Sequence, residues 1–282
     1  MGETSKLVCF FLILCFVTHG TKGVSVDGSA QLDKHWDILI LTQSWPPAVC
    51  IFVENEDKKC DIPSNITSWI IHGLWPTLTG TEGPNYCNNS WKFDINEVKT
   101  LRPKLDWNWP ASSKGETVND FWAHEWDKHG TCAAELPALN TEMAYFNTTL
   151  GLHFHYNISK ILMESGIIPI DDRAYKAEDI LDVLKKNLGF YPSISCVKDK
   201  NTEKYYLEQV EICLTKTFQL TDCSSHTSAQ HLPSLHDLLF RSELLPGTGR
   251  SEAVGLEGYI HDCNSPEVYY KPLPPTKSML RV

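Results

Sequence analysis

At 282 residues the chain is long enough to bury a full core in one domain. Acidic side chains outnumber basic ones, 35 to 25, and the formal net charge of -10 excludes strong non-specific attraction to nucleic acid at neutral pH. The 11 histidines would charge below their reference pKa of about 6.5 and nearly cancel that deficit, so the balance points to work in an acidic compartment.

The chain begins with a secretory leader. Lys6 is its positive start, Leu7–Val17 its apolar run, and Gly20 or Gly23 a small residue near a cleavage point. That run is too short to span a bilayer, and no other stretch is long and apolar enough, so no membrane anchor is expected. The expected division is a signal peptide over 1–23 and one catalytic domain over 24–282. His35–Thr42, with Trp36, Ile38 and Ile40 set against Asp37, predicts a buried strand. Ser68–Trp75 predicts a second, with Ile70, His72 and Leu74 on one face and Trp69, Ile71 and Gly73 on the other. Trp91–Leu101 carries Ile95, Val98 and Leu101 at helical spacing. Val118–Ala134 predicts a helix, with Thr117 as N-cap and Asp120 completing a capping box. Asn140 is placed to cap a helix bearing Met143, Phe146 and Leu150. Ile158, Ile161 and Leu162 mark another, ending near Gly166. Ala177–Leu188 is the clearest amphipathic helix, stopped by Gly189. Tyr205–Leu214 alternates as a strand, with Glu208 breaking the pattern. Ser224–Glu252, rich in Ser, His and Gly, predicts a long, atypical surface insertion. Strands and helices mix without regular β-α-β alternation, which favours α+β over a doubly wound parallel sheet.

Cleavage of the leader would remove Cys9 and Cys15 and leave Cys50, Cys60, Cys87, Cys132, Cys196, Cys213, Cys223 and Cys263. An even count in an oxidising compartment favours disulfides, and spacing alone leaves about 105 pairings open. No pair is C-x-x-C, which speaks against structural zinc. Sequons at Asn65, Asn88, Asn147 and Asn157 fit the same compartment.

Two boxes carry the chemistry. Phe121–Cys132 packs His124, Glu125, Lys128 and His129 close together. At roughly 100° per residue they share one arc of a helix, with Trp122 and Trp126 beyond it. Glu125 can orient the His129 imidazole one turn on, and His124 with Lys128 forms a cationic pair suited to phosphate. Ile71–Pro76 adds His72, beside Gly73, which permits close backbone approach. Trp75 offers either plain core packing or an indole face on which a base stacks, worth about 1–3 kcal/mol. The spacing of His124 and His129 departs from the zincin pattern, and Lys128 would repel a cation, so no metal and no cofactor is expected.

Together these boxes closely resemble the ribonuclease T2 family. Gln43-Ser44-Trp45-Pro46 with Cys50, and Cys87-Asn88-Asn89-Ser90-Trp91, add to the likeness, which covers about Trp36–Leu220 and is strongest to animal lysosomal or secreted members. The resemblance implies an α+β fold: a central antiparallel β-sheet with flanking helices in a disulfide-stapled single domain. It implies metal-independent cleavage of single-stranded RNA, not DNA, through a 2′,3′-cyclic phosphate, with an acidic optimum. The expected enzyme is a monomer, secreted or held in the endolysosomal lumen. On this resemblance His129 is the base for the 2′-OH and His72 the acid for the leaving 5′-oxygen. Glu125 and Lys128 stabilise the phosphorane-like charge, and His124 holds the phosphate. Trp75 matches the stacking residue of the first base site, and Gln43 and Phe121 match positions lining the second. The implied pairings are Cys50–Cys60, Cys87–Cys132, Cys196–Cys263 and Cys213–Cys223. The rival reading is a secreted signalling or binding protein that uses the same scaffold without catalysis.

Overall fold

Two apolar runs far apart along the chain pair at the middle of a sheet. The computed structural model describes residues 35–63, 66–81, 83–223 and 256–274, all within the unit Leu32–Val282. The expected leader, Asn65 and the Ser224–Glu252 segment lie outside the described residues. The first strand, β1 (Ile38–Ser44), is buried along its whole length. α1 (Pro46–Asn55) follows at once, its start fixed by two prolines preset for a first helical turn. Next come β2 (Ile70–Thr77), α2 (Arg102–Asn108) and α3 (Val118–Glu125). A π-helical turn, Trp126–Gly130, joins α3 to α4 (Thr131–Ala133). Then follow α5 (Glu142–His155), α6 (Ile158–Glu164), β3 (Ala174–Lys176), α7 (Ala177–Leu188), β4 (Ser193–Lys198), β5 (Tyr205–Thr215), β6 (Leu220–Thr221), β7 (Ile260–His261) and β8 (Glu267–Tyr269).

The main path of the sheet runs β2-β1-β5-β4-β7. It is antiparallel from β2 to β4, as expected. Short parallel pairings of β4 with β7 and β5 with β8 make the complete sheet mixed. Trp36, Trp69, Trp109, Trp122, Trp126 and Tyr145 are fully buried. α7 has the predicted bounds, and Gly189 ends it in the left-handed conformation, φ 83°.

Two local expectations are corrected. Ile95–Leu101 forms successive turns rather than a helix, and helix begins only at α2. The Asp94 side chain takes the Asn96 N–H at 2.9 Å, offering the backbone an alternative to helix. The cap of α5 is Thr141, not Asn140: its hydroxyl accepts from Ala144 N at 3.1 Å. α1 and β4 were not anticipated.

All four implied disulfides are present. Cys87–Cys132 fastens the segment that carries the histidine cluster, and such a bridge contributes about 2–4 kcal/mol. Asn88, Asn147 and Asn157 are exposed.

Candidate active site

Two departures from regular geometry build the site. The first is in the helix. Its capping box forms as predicted, with Asp120 N donating to Thr117 Oγ1 and Thr117 N to Asp120 Oδ2, both at 3.1 Å. The expected single α-helix over Val118–Ala134 is instead interrupted by the π turn. The wider turn re-aims the side chains beyond it relative to a 100° count. Carbonyls in the turn find other donors: Lys128 O accepts from Tyr86 N and Asp127 O from Thr131 Oγ1, each at 2.9 Å. Trp122 and Trp126 pack into the core, as the arc predicted. Glu125 and His129 are nearly sealed as well, 1% and 6% exposed.

The second departure is in β2. Thr42 pairs with Gly73 but Gln43 pairs with Ile71, so His72 is the extra residue of a β-bulge. Strict alternation would put His72 with Leu74 and opposite Trp75. The bulge corrects this: Leu74 is buried, whereas His72 and Trp75 both open on the cleft. The His72 carbonyl, freed from the ladder, accepts the Trp109 indole N–H at 2.9 Å.

The helix and the bulge meet in one cleft of about 660 Å³, lined by His72, Trp75, Phe121, His124, Glu125, Lys128 and His129. One indole organises it. The Trp75 ring lies 5.0 Å from the His72 ring and 5.4 Å from the His129 ring, centroid to centroid. Its N–H donates to Glu125 Oε2 at 3.0 Å. This contact needs the bare backbone of Gly73, where a Cβ would run into both Trp75 Nε1 and Glu125 Oε2. Trp75 is therefore a spacer and a hydrogen-bond donor before it is a stacking platform. Phe121 lies 6.2 Å from His72, and His124 6.5 Å from His129.

Burial dominates the electrostatics. It lowers His72 to about 4, helped by the charges of His124 and Lys128. It holds His129 well below the ordinary imidazole value, with Lys128 and His124 acting the same way. His124 is lowered by burial and Lys128, against Asp127. Glu125 is pushed up to about 8, because desolvation outweighs the Trp75 hydrogen bond and the nearby Lys128.

The structure does not bring Gln43 to the site. Period two along β1 turns it away from the face of Ser44, and it is fully buried. Its amide is spent on His153 Nδ1 at 2.7 Å and Tyr156 O at 2.8 Å. Ser44 lines the cleft in its place. Gln209, also unforeseen, sits with its Nε2 3.3 Å from His72 Nδ1. It comes from β5, far along the chain, and only its place in an alternating strand hinted at it.

The likeness to known proteins agrees with this arrangement. The Ribonuclease T2 family model matches residues 36–223. Ribonuclease Oy of Magallana gigas is 45% identical over 193 residues, covering 68% of this chain and 89% of that protein. The crystal structure of human RNase T2 matches with a TM-score of 0.59 at 36% identity, covering 67% of this chain and 91% of that one. A mutant of RNase MC1 in complex with 5′-GMP matches with a TM-score of 0.59 at 31% identity, over 69% and 95% of the two chains. On the sequence match, the fold and the cleft together, the chain belongs to the Ribonuclease T2 family.

Proposed function

We propose that this endoribonuclease cuts single-stranded RNA without a metal, by transphosphorylation. His129 takes the proton of the ribose 2′-OH, and the 2′-oxygen attacks the adjacent phosphorus. The bond to the 5′-oxygen breaks as His72 gives that oxygen its proton. The products are a 2′,3′-cyclic phosphate and a free 5′-OH, and DNA, lacking the nucleophile, is spared. Lys128 and His124 face the phosphate as cations. Glu125, with a carboxyl raised to about 8, is a neutral acid at acidic pH. In that form it donates a hydrogen bond to a phosphoryl oxygen rather than repelling it. Phe121 offers a ring for a base beside His72. One observation supports this reading above others: His72 and His129 line the same cleft and touch the same indole.

An acidic optimum follows from the burial. Activity falls on the acid side as His129 gains a proton, and on the alkaline side as His72 loses one near pH 4. A bound phosphate anion offsets the Lys128 and His124 charges and raises His72. The alkaline limb of kcat is therefore expected at higher pH than that of kcat/KM. Superimposable limbs would contradict the account. The reaction itself is tested by product analysis in the presence of chelator. A defined oligoribonucleotide should yield cyclic phosphate ends and stay uncut at a single 2′-deoxy position. Cleavage there would reject the mechanism.

The same proposal takes residues 1–23 as a signal peptide and 24–282 as the catalytic domain, entering the secretory route toward the lysosome or the exterior. The disulfides and the exposed sequons at Asn88, Asn147 and Asn157 support it. Among the described residues no helix is long and apolar enough to cross a membrane. The same reading takes the enzyme to act as a monomer.

A further inference from the structure

Gln43, turned away from the cleft, lines a second cavity of about 110 Å³ together with Trp69, Asn108, His153, Phe154 and Asn157. It lies where α5 ends and α6 begins, and the reaction proposed above uses none of these side chains. Their polar atoms fix what the cavity can hold. Gln43 Nε2 donates to Tyr156 O, so the Gln43 oxygen meets His153 Nδ1, and that nitrogen carries the proton. Burial keeps the ring neutral by lowering its pKa to about 4. His153 Nε2 is then an acceptor, and among the described residues no hydrogen bond reaches it. Asn108 Nδ2 is spent on Lys104 O, which leaves the Asn108 carbonyl oxygen as a second acceptor. The Trp69 indole N–H is taken by Tyr270, so its ring serves as apolar wall beside the half-exposed Phe154. Acceptors set against an apolar wall suit a ligand with several hydrogen-bond donors and an apolar face, which describes a sugar ring.

A tether for such a sugar stands in the same wall. Asn157 is exposed, lines the cavity and opens the sequon Asn157-Ile158-Ser159. Its Oδ1 accepts from Lys160 N at 2.9 Å and caps α6. Nδ2, the atom that glycosylation modifies, makes no hydrogen bond among the described residues. A glycosylated asparagine keeps its Oδ1, so cap and glycan are compatible. The cavity is smaller than the about 300–1,000 Å³ that holds a free small molecule, so its ligand needs a further hold from outside. A sugar on Nδ2 has one, with an effective concentration of about millimolar, enough to fill a weak site. Asn88 and Asn147, the other described sequons, line neither this cavity nor the cleft. We propose that, on the secretory reading above, this cavity is a subsite for the first N-acetylglucosamine of a glycan on Asn157. The sugar packs its apolar face on Phe154, donates to His153 and Asn108, and so ties α5 to α6. Attachment exchanges one Nδ2–H for a bond to the sugar C1, with a lipid diphosphate as leaving group and the proton released.

The test uses the full chain secreted from an animal cell line, with its glycans mapped by mass spectrometry. Asn157→Asp removes the glycan but keeps the cap, since Asp caps a helix as well as Asn does. This variant should melt about 3 °C below wild type, the shift that a roughly fivefold change in the folding equilibrium gives a domain of this size. Wild type trimmed to a single N-acetylglucosamine at each sequon should melt as before. Phe154→Ala should lower the melting temperature of the glycosylated protein by a similar amount and leave that of Asn157→Asp unchanged. A wild-type melting temperature in Asn157→Asp would overturn the proposal, as would a loss on trimming or equal effects of Phe154→Ala in both backgrounds. So would a bare Asn157 beside a glycosylated Asn88 or Asn147. Absence of glycan from every sequon would instead overturn the secretory reading.

Discussion

His129→Ala is expected to lower kcat by about 10³-fold at pH 5, within the range that one positioned proton-transfer group supplies. KM should change little, because Lys128 and His124 still hold the phosphate. His72→Ala should show a similar loss on RNA. The two variants part on a substrate whose leaving group needs no proton, such as uridine 3′-(4-nitrophenyl phosphate). With that ester His72→Ala should recover most of its activity, while His129→Ala should not. The contrast follows from the assigned roles, since a good leaving group replaces the acid but not the base. Equal losses on both substrates would show that the roles are wrong. The double variant should lose less than the product of the single losses, because the two imidazoles act as a unit.

Gly73→Ala is expected to be nearly as damaging, although it adds only one methyl group and removes no catalytic side chain. The added Cβ would lie against Trp75 Nε1 and Glu125 Oε2, closer than van der Waals contact allows. One of these groups must move. Trp75 spaces the two imidazoles and holds Glu125, so either movement misaligns the site. A displacement of about 1 Å can cost 10²-fold in rate, and that is the loss in kcat expected here. Overpacking should also lower stability by about 1–3 kcal/mol. Gly73 does not adopt a positive φ, so backbone strain has no part in the effect. Denaturant melts would give the stability term, and kinetics on the folded protein the catalytic one. A wild-type kcat in Gly73→Ala would show that the indole contact is incidental.

Much of this site was legible in the sequence where local rules decide the structure. The capping box at Thr117 and Asp120, the amphipathic α7 and its stop at Gly189 are set by near neighbours, and all appear as predicted. The composition of the His124–His129 cluster was legible too, but its aim was not. The π turn depends on outside donors such as Tyr86 N, which no helical wheel contains. The orientation of His72 depends on a bulge matched across β1, so a period-two count put it on the wrong face relative to Trp75. Gln43 failed for a similar reason: one residue of phase on a strand separates a cleft side chain from a buried one. Ser44 was its immediate neighbour. Gln209 and Glu211 reach the cleft only because β5 pairs with β1 over a long separation, and no local signal carries that pairing.

The account depends on two imidazoles addressing one phosphate. The most direct measurement is an NMR titration of the histidine ring resonances with uridine 3′-monophosphate at pH 5. The expected result is that His72 and His129 both shift along curves with the same dissociation constant, and that both titrate at higher pH in the complex. A shift in only one of them, or two different constants, would contradict the shared site.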